Sequence, residues 1–144
     1  NRPTHADGRV HGAIVGCRRA DGRWLLIRRA ASVPAAPLKI CFPGGGVEPG
    51  EHHEAAAVRE FREELGVGVR LVRLVWHHVF EDRPLVLWGY LGLLESDDLN
   101  PDPQEVAQTL WMTAEEAAAH EDCLPRTDEF LAALERAVVE EGIW

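Results

Sequence analysis

Residues 45–67 read GGVEPGEHHEAAAVREFREELGV, and this stretch decides the fold. A glycine turn passes through Pro49 and Gly50 into residues 51–65, which are rich in Ala and Glu with no internal Gly or Pro. That composition predicts a helix, with Gly66 as its stop. On a wheel of about 100° per residue with Val58 at zero, Ala55, Phe61 and Leu65 fall at about 60°, 300° and 340° and form the expected apolar face. Glu60, Glu63 and Glu64 fall at about 200°, 140° and 240°, an acidic cluster opposite it. Like charges at this spacing repel and weaken a bare helix. Two readings follow: a solvated charged face, or a site for a divalent cation. Hard cations such as Mg²⁺ take carboxylate oxygens, keep several waters and are completed by substrate phosphates. Neighbouring glycines let the backbone approach a metal or a phosphate closely. The helix alone leaves the two readings level.

On the N-terminal side, residues 10–17 and 24–29 read as strands joined by the Asp21-Gly22 turn, which predicts a β-hairpin. Residues 31–38 hold two prolines and read as a loop, residues 40–43 as a short strand stopped by Pro43, and residues 44–46 as a rigid glycine loop. On the C-terminal side, residues 67–80 predict one long or bent strand, and residues 85–94 and 105–112 two more. Thr113 and Glu116 have the spacing of a capping box opening a short helix. Residues 127–141 predict an amphipathic helix with Phe130, Leu131, Leu134 and Val138 on one side. The expected organisation is a flexible segment over residues 1–8 and a single domain over 9–144, with a mixed sheet and about three helices.

The chain has 144 residues, 46% apolar and 27% charged, which suits one globular domain. Its net charge of -9 argues against a nucleic-acid polymer or an anionic membrane as partner. No apolar run is long enough to span a bilayer and no leader pattern opens the chain. Three scattered cysteines, Cys17, Cys41 and Cys123, make no disulfide framework or C-x-x-C pair, and a reducing, cytoplasmic setting is expected.

The stretch then resembles a known family. Gly45, Glu51, Arg59, Glu60, Phe61, Glu63, Glu64, Gly66 and Val67 occupy every fixed position of the 23-residue box of the Nudix (MutT-like) hydrolases, with Phe61 where an aliphatic residue is more usual. Phe42-Pro43-Gly44 before it is also common there. The resemblance implies an α/β/α sandwich around a mixed central β-sheet, of α/β (α+β) class, and a Mg²⁺ (or Mn²⁺) ion. It implies Glu60, Glu63 and Glu64 as metal-binding glutamates, the Gly45 carbonyl as a further ligand, and Arg59 as the residue orienting its neighbouring glutamate. Glu60 also matches a residue that activates the attacking water in some members. Glu51, on the apolar side of the wheel, fits a helix-anchoring role through pairing with an arginine.

The implied reaction is cleavage of the pyrophosphate linkage of a nucleoside diphosphate derivative. Nucleoside triphosphates of the housecleaning type are favoured; ADP-ribose or a dinucleotide is the alternative, with Pro84 as a weak pointer. A coenzyme A substrate fits less well, because the loop after Ala30 lacks that subgroup's pattern. A non-catalytic nucleotide-sensing module is disfavoured, because all the box glutamates are present. Glu105, before Trp111, is the expected acid outside the box, with Glu81 a weaker choice. Strand alternation puts one of Arg28 and Arg29 on the cleft side, and Arg28 is taken as the phosphate contact. Phe80 is the expected base-stacking residue, with Trp76, Trp88 and Trp111 as alternatives to it or as core. The histidine pairs His52-His53 and His77-His78 lack metal-ligand spacing and read as packing residues. The C-terminal helix and the Ile143-Trp144 end are candidate surfaces for a homodimer.

Overall fold

Strands that are apolar on both faces need cover on both sides. In the computed structural model, which describes residues 4–143, that cover comes from helices above and below the strands. The elements in chain order are β1 (Val10–Cys17), β2 (Trp24–Arg29), β3 (Ile40–Cys41), β4 (Gly44–Gly46), α1 (His53–Leu65), β5 (Val69–Val79), β6 (Leu85–Leu94), β7 (Val106–Met112), α2 (Ala114–Ala119) and α3 (Thr127–Glu141). A four-stranded mixed sheet runs β4-β1-β6-β5, with β1 and β6 parallel, and a three-stranded antiparallel sheet runs β3-β2-β7. Strand alternation splits the core in two. Leu25 and Ile27 pack with Ala13, Val15, Phe61 and Leu65 under α1. Trp24 and Leu26 pack with Leu91, Phe130 and Leu134 under α3. The result is the expected α/β/α sandwich.

Local expectations hold where the sequence carries its own cap or stop. The α2 capping box is formed, with Glu116 N–H donating to Thr113 Oγ1 at 3.1 Å and Thr113 N–H to Glu116 at 2.8 Å. α1 starts two residues later than expected, because the His52 ring accepts from Glu54 N–H and is the N-cap. β5 bends through two register shifts, at Val72 and Val75.

The hairpin expected between β1 and β2 exists only at its tip. Arg19 N–H donates to Arg23 O at 2.8 Å and Arg18 bridges Trp24, and then the strands part into different sheets. By parting, β1 gains β4 and β6 as neighbours and β2 gains β3 and β7; pairing with each other would have blocked one edge of each. The glycine loop expected at residues 44–46 is strand β4, paired antiparallel with Gly12, Ala13 and Ile14.

Of the segment expected to be flexible, residues 1–3 lie outside the described residues. Residues 4–8 form a turn closed by Gly8 N–H on His5 O, and the His5 ring reaches Val47 O at 2.7 Å. The apolar face of α3, a candidate dimer surface, is spent on the core: Phe130, Leu131, Leu134 and Val138 are buried. Ile143 packs against the same cluster, and Trp144 lies outside the described residues. Among the described residues no helix is long and apolar enough to cross a membrane.

Candidate active site

The buried arc of α1 is Ala56, Ala57, Phe61, Glu64 and Leu65. It is rotated from the expected one: Ala55 is exposed, and Glu64, expected on the solvent side with Glu60 and Glu63, is only 4% exposed. The reason is β4. α1 lies against this strand as well as against β1, and a strand of glycines offers no apolar residue by which the sequence announces a packing partner. Glu64 Oε1 accepts from Gly44 N–H at 2.8 Å, so the helix is stitched to β4 through a carboxylate.

A cleft of about 260 Å³ opens beside this contact, lined by Glu60, Glu64, Glu105, Arg29 and the backbone of Gly44, Gly45 and Gly46. The fold thus brings together two of the three box glutamates and Glu105 from the turn just before β7. Glu63 is absent from the cleft lining; it is about half exposed and its carboxylate lies 3.4 Å from Arg59. Arg59 holds the arrangement together. It donates to both oxygens of Glu51 at 2.9 Å each, to Glu60 Oε1 at 2.9 Å and to Gly46 O at 3.0 Å. One planar fork therefore joins the helix entry, the helix and β4. The expected pairing of Glu51 with an arginine is present, and that guanidinium pulls the Glu51 carboxyl down to about 2.

The cleft carboxylates are shifted the other way. Burial pushes Glu64 up to about 8, helped by Glu105 and Glu60 and opposed by the Gly44 N–H and Arg29. Burial also raises Glu60, with Arg59 opposing and Glu63 and Glu105 reinforcing. Carboxylates crowded into a desolvated cleft, with Arg29 on its wall and Arg59 shared among Glu51, Glu60 and Glu63, are short of positive charge. A hard divalent cation suits such a donor set, with Glu60, Glu64, Glu105 and the carbonyls of β4 as the groups that would hold it. Among the described residues no cluster of three acidic, imidazole or thiol groups makes a ready cage. Mg²⁺ does not need one, since it is bound by one or two carboxylates with water and phosphate oxygens supplying the rest.

Two adjacent glycines serve this cleft differently. A Cβ on Gly45 would sit 2.4 Å from the Glu60 carboxyl carbon, whereas one on Gly44, at φ 150°, would sit 2.0 Å from Ala13 O in the backbone. Gly45→Ala is expected to leave the fold within a few °C of its midpoint, because a flexible side-chain end can move, yet to lower turnover about tenfold by displacing Glu60. Gly44→Ala is expected to cost on the order of 3 kcal/mol, since backbone cannot move aside. Thermal melts and turnover on both variants check this; equal stabilities would show that β4 does not seat as tightly as described.

A second cavity, about 230 Å³ and mostly apolar, adjoins the cleft and shares Arg29, Gly44 and Gly45 with it. Phe80 and Trp76 are on its wall. Trp88 is not; it stacks on His53 with ring centroids 3.9 Å apart and donates from Nε1 to His11. Trp111 is engaged by Arg19, whose guanidinium lies 4.6 Å from its ring centroid. Glu81 is exposed and lines neither space.

Arg28 points away from both spaces and donates to Leu38 O at 2.8 Å and Asp122 at 3.0 Å, while Arg29 lines cleft and cavity alike. The alternation that sends Leu25 and Ile27 toward α1 continues to Arg29, and that parity was the signal available in the sequence. Arg29 donates from Nε to Ala35 O at 2.8 Å and has no ion-pair partner among the described residues.

Comparison with known proteins gives the family and the fold. The family model described as NUDIX domain matches residues 9–134. The 8-oxo-dGTP diphosphatase of Escherichia coli K12 is 32% identical over 124 residues, covering 85% of this chain and 94% of that protein. The crystal structure of MutT protein from Methanosarcina mazei superposes with a TM-score of 0.77 at 18% identity, covering 95% of this chain and 97% of that one. The Caenorhabditis elegans Ap4A hydrolase superposes with a TM-score of 0.72 at 23% identity, over 92% of this chain and 99% of that one. At these identities the two structures speak for the fold alone.

Proposed function

The chain belongs to the Nudix hydrolase family, and from that premise we propose a Mg²⁺- or Mn²⁺-dependent pyrophosphohydrolase acting on nucleoside triphosphates, of the housecleaning type. The observation that carries the reading is the cleft itself, where Glu60, Glu64 and Glu105 converge on the backbone of β4 beside Arg29. When bound, the cation polarises a phosphoryl oxygen and lowers the pKa of its water. The remaining work falls to side chains. Arg59 holds Glu60 in a fixed orientation, and Arg29, at the junction of cleft and cavity, meets the phosphates of a substrate whose base lies in the apolar cavity. Glu60 and Glu105 are the carboxylates proposed to take the proton of the attacking water. Glu63, outside the cleft lining and 3.4 Å from Arg59, would help to hold the cation only from a different side-chain position.

The near full-length similarity to a diphosphatase of 8-oxo-dGTP supports triphosphates ahead of dinucleotides. ADP-ribose and dinucleotide polyphosphates remain the alternative, with the Ap4A hydrolase sharing the fold. A nucleotide sensor would bind without turnover.

A panel of nucleoside triphosphates, ADP-ribose and dinucleoside polyphosphates, assayed with Mg²⁺ and with Mn²⁺, tests the proposal. The expected result is release of pyrophosphate and a monophosphate from triphosphates, abolished by chelation. Binding of every compound with no turnover would replace the enzyme reading with the sensor.

A further inference from the structure

The polar side chains of the apolar cavity are mainly hydrogen-bond donors. Apart from the Cys41 thiol and the Trp76 indole, its polar lining side chains are Arg29, Arg83, Arg126 and Thr127, and among the described residues no Asp, Glu, Asn, Gln or His lines it. A guanidinium carries five N–H donors and no acceptor. Arg83 spends one amino group on Asp82 at 3.0 Å and Arg126 one on Glu129 at 2.6 Å, which leaves other N–H groups on each. Arg29 gives its Nε to Ala35 O and its Nη1 to Cys41 Sγ at 4.0 Å, with the guanidinium still lining the cavity. Thr127 donates its hydroxyl to Leu124 O at 2.6 Å.

Several backbone acceptors around the same wall are engaged too. Ala35 O is taken by Arg29, Ala36 O by Lys39 N–H, and Arg126 O by Phe130 N–H. Arg126 sits at the head of α3 with a positive φ of 74°, a conformation that a bulky side chain adopts only where its surroundings impose it. The cavity thus presents aromatic walls, Trp76, Phe80 and Phe130 among them, and a polar complement that mainly donates.

We propose that this cavity selects nucleobases by their ring carbonyls, favouring oxo-bearing bases over the amino-bearing counterparts of the same size. The proposal rests on the nucleotide reading above and names the substrate class within it. A carbonyl entering the cavity accepts from a guanidinium. An exocyclic amino group at the same place sets N–H against N–H and leaves both without partners. Aromatic walls favour a planar ring over a bare phosphate as the occupant. A purely apolar pocket would tell the two bases apart only weakly.

Matched nucleotides that differ by one oxo-for-amino exchange test this. Calorimetry on the unaltered chain would compare the monophosphates IMP with AMP and UMP with CMP, which have no pyrophosphate bond to lose. The oxo member is expected to bind about tenfold tighter or more in both pairs. In the variant R83M/R126N, where Asn tolerates the positive φ, the ratio is expected to shrink to about threefold or less. Equal or reversed affinities in either pair, or no binding by any of the four, would overturn the proposal. The ratio of kcat/KM for ITP over ATP and UTP over CTP separates it from the functional reading. Hydrolysis with no oxo preference sinks the selectivity alone. Oxo-selective binding with no hydrolysis under Mg²⁺ or Mn²⁺ sinks the enzyme reading alone.

Discussion

Replacing Glu64 with glutamine is expected to lower metal-dependent turnover by about two orders of magnitude or more while making the metal-free protein more stable at neutral pH. Both effects come from one placement. Glu64 is 4% exposed, holds the Gly44 N–H at 2.8 Å and shares its cleft with Glu60 and Glu105. Glutamine keeps an oxygen for the Gly44 N–H and loses the charge that a cation would need. The pH dependence has a definite sign. Glu64 has its folded pKa raised from 4.5 to about 8, so the folded chain binds this proton more tightly than the unfolded one. Its contribution is complete below about pH 4.5 and is lost as pH rises through about 8.

Urea unfolding at pH 5, 7 and 9 without metal is therefore expected to show E64Q pulling ahead of the parent chain, by an amount on the order of a few kcal/mol at pH 9 and little at pH 5. Adding Mg²⁺ is expected to narrow the gap by stabilising only the parent. A gap independent of pH would refute the burial of an ionisable carboxylate at this position. Undiminished turnover would remove Glu64 from the metal site.

Arg59→Ala is expected to be the most damaging change on the exposed side of α1. Arg59 is half-buried and bonds Glu51, Glu60 and the Gly46 carbonyl, so its removal strands two largely buried carboxylates and loosens β4 together. A loss on the order of 2–3 kcal/mol is expected, less than for a fully buried pair because solvent reaches one side. Turnover is expected to fall about a hundredfold as Glu60 loses its orientation. Arg59→Lys restores the charge and not the fork, and is expected to recover part of the stability and little of the rate. Urea midpoints and turnover on the two variants check this. Full rescue by lysine would mean that the charge alone matters and that the geometry of the fork does not.

Segments whose structure is set by neighbours in the chain were legible before the fold was known. The C-terminal helix was read over 127–141 and is α3, Thr127–Glu141; the strand read over 85–94 is β6, Leu85–Leu94. The Thr113 capping box formed, because cap and acceptor are three residues apart. Box spacing brought the family, the fold and Glu60, Glu63 and Glu64 into view, since a motif of fixed spacing on one helix is local information, while Glu105, outside the box, was reached only through its place before Trp111. What tertiary structure alone decided has a common physical cause: the partner is distant in sequence or has no side chain. β1 and β2 look like a hairpin until β6 and β7 compete for their edges. β4 is three glycines with no periodic pattern, yet it lies against the flank of α1, buries Glu64 and leaves Glu63 in solvent. Strand parity sets Arg28 and Arg29 on opposite faces, and the packing of β2 between two helices decides that the face of Leu25, Ile27 and Arg29 is the one that meets the cleft. Six glutamates against Arg59 and Arg62 over residues 48–64 could be counted from the sequence. Burial, which turns one of them from a solvated charge into a carboxylate held near pKa 8, could not.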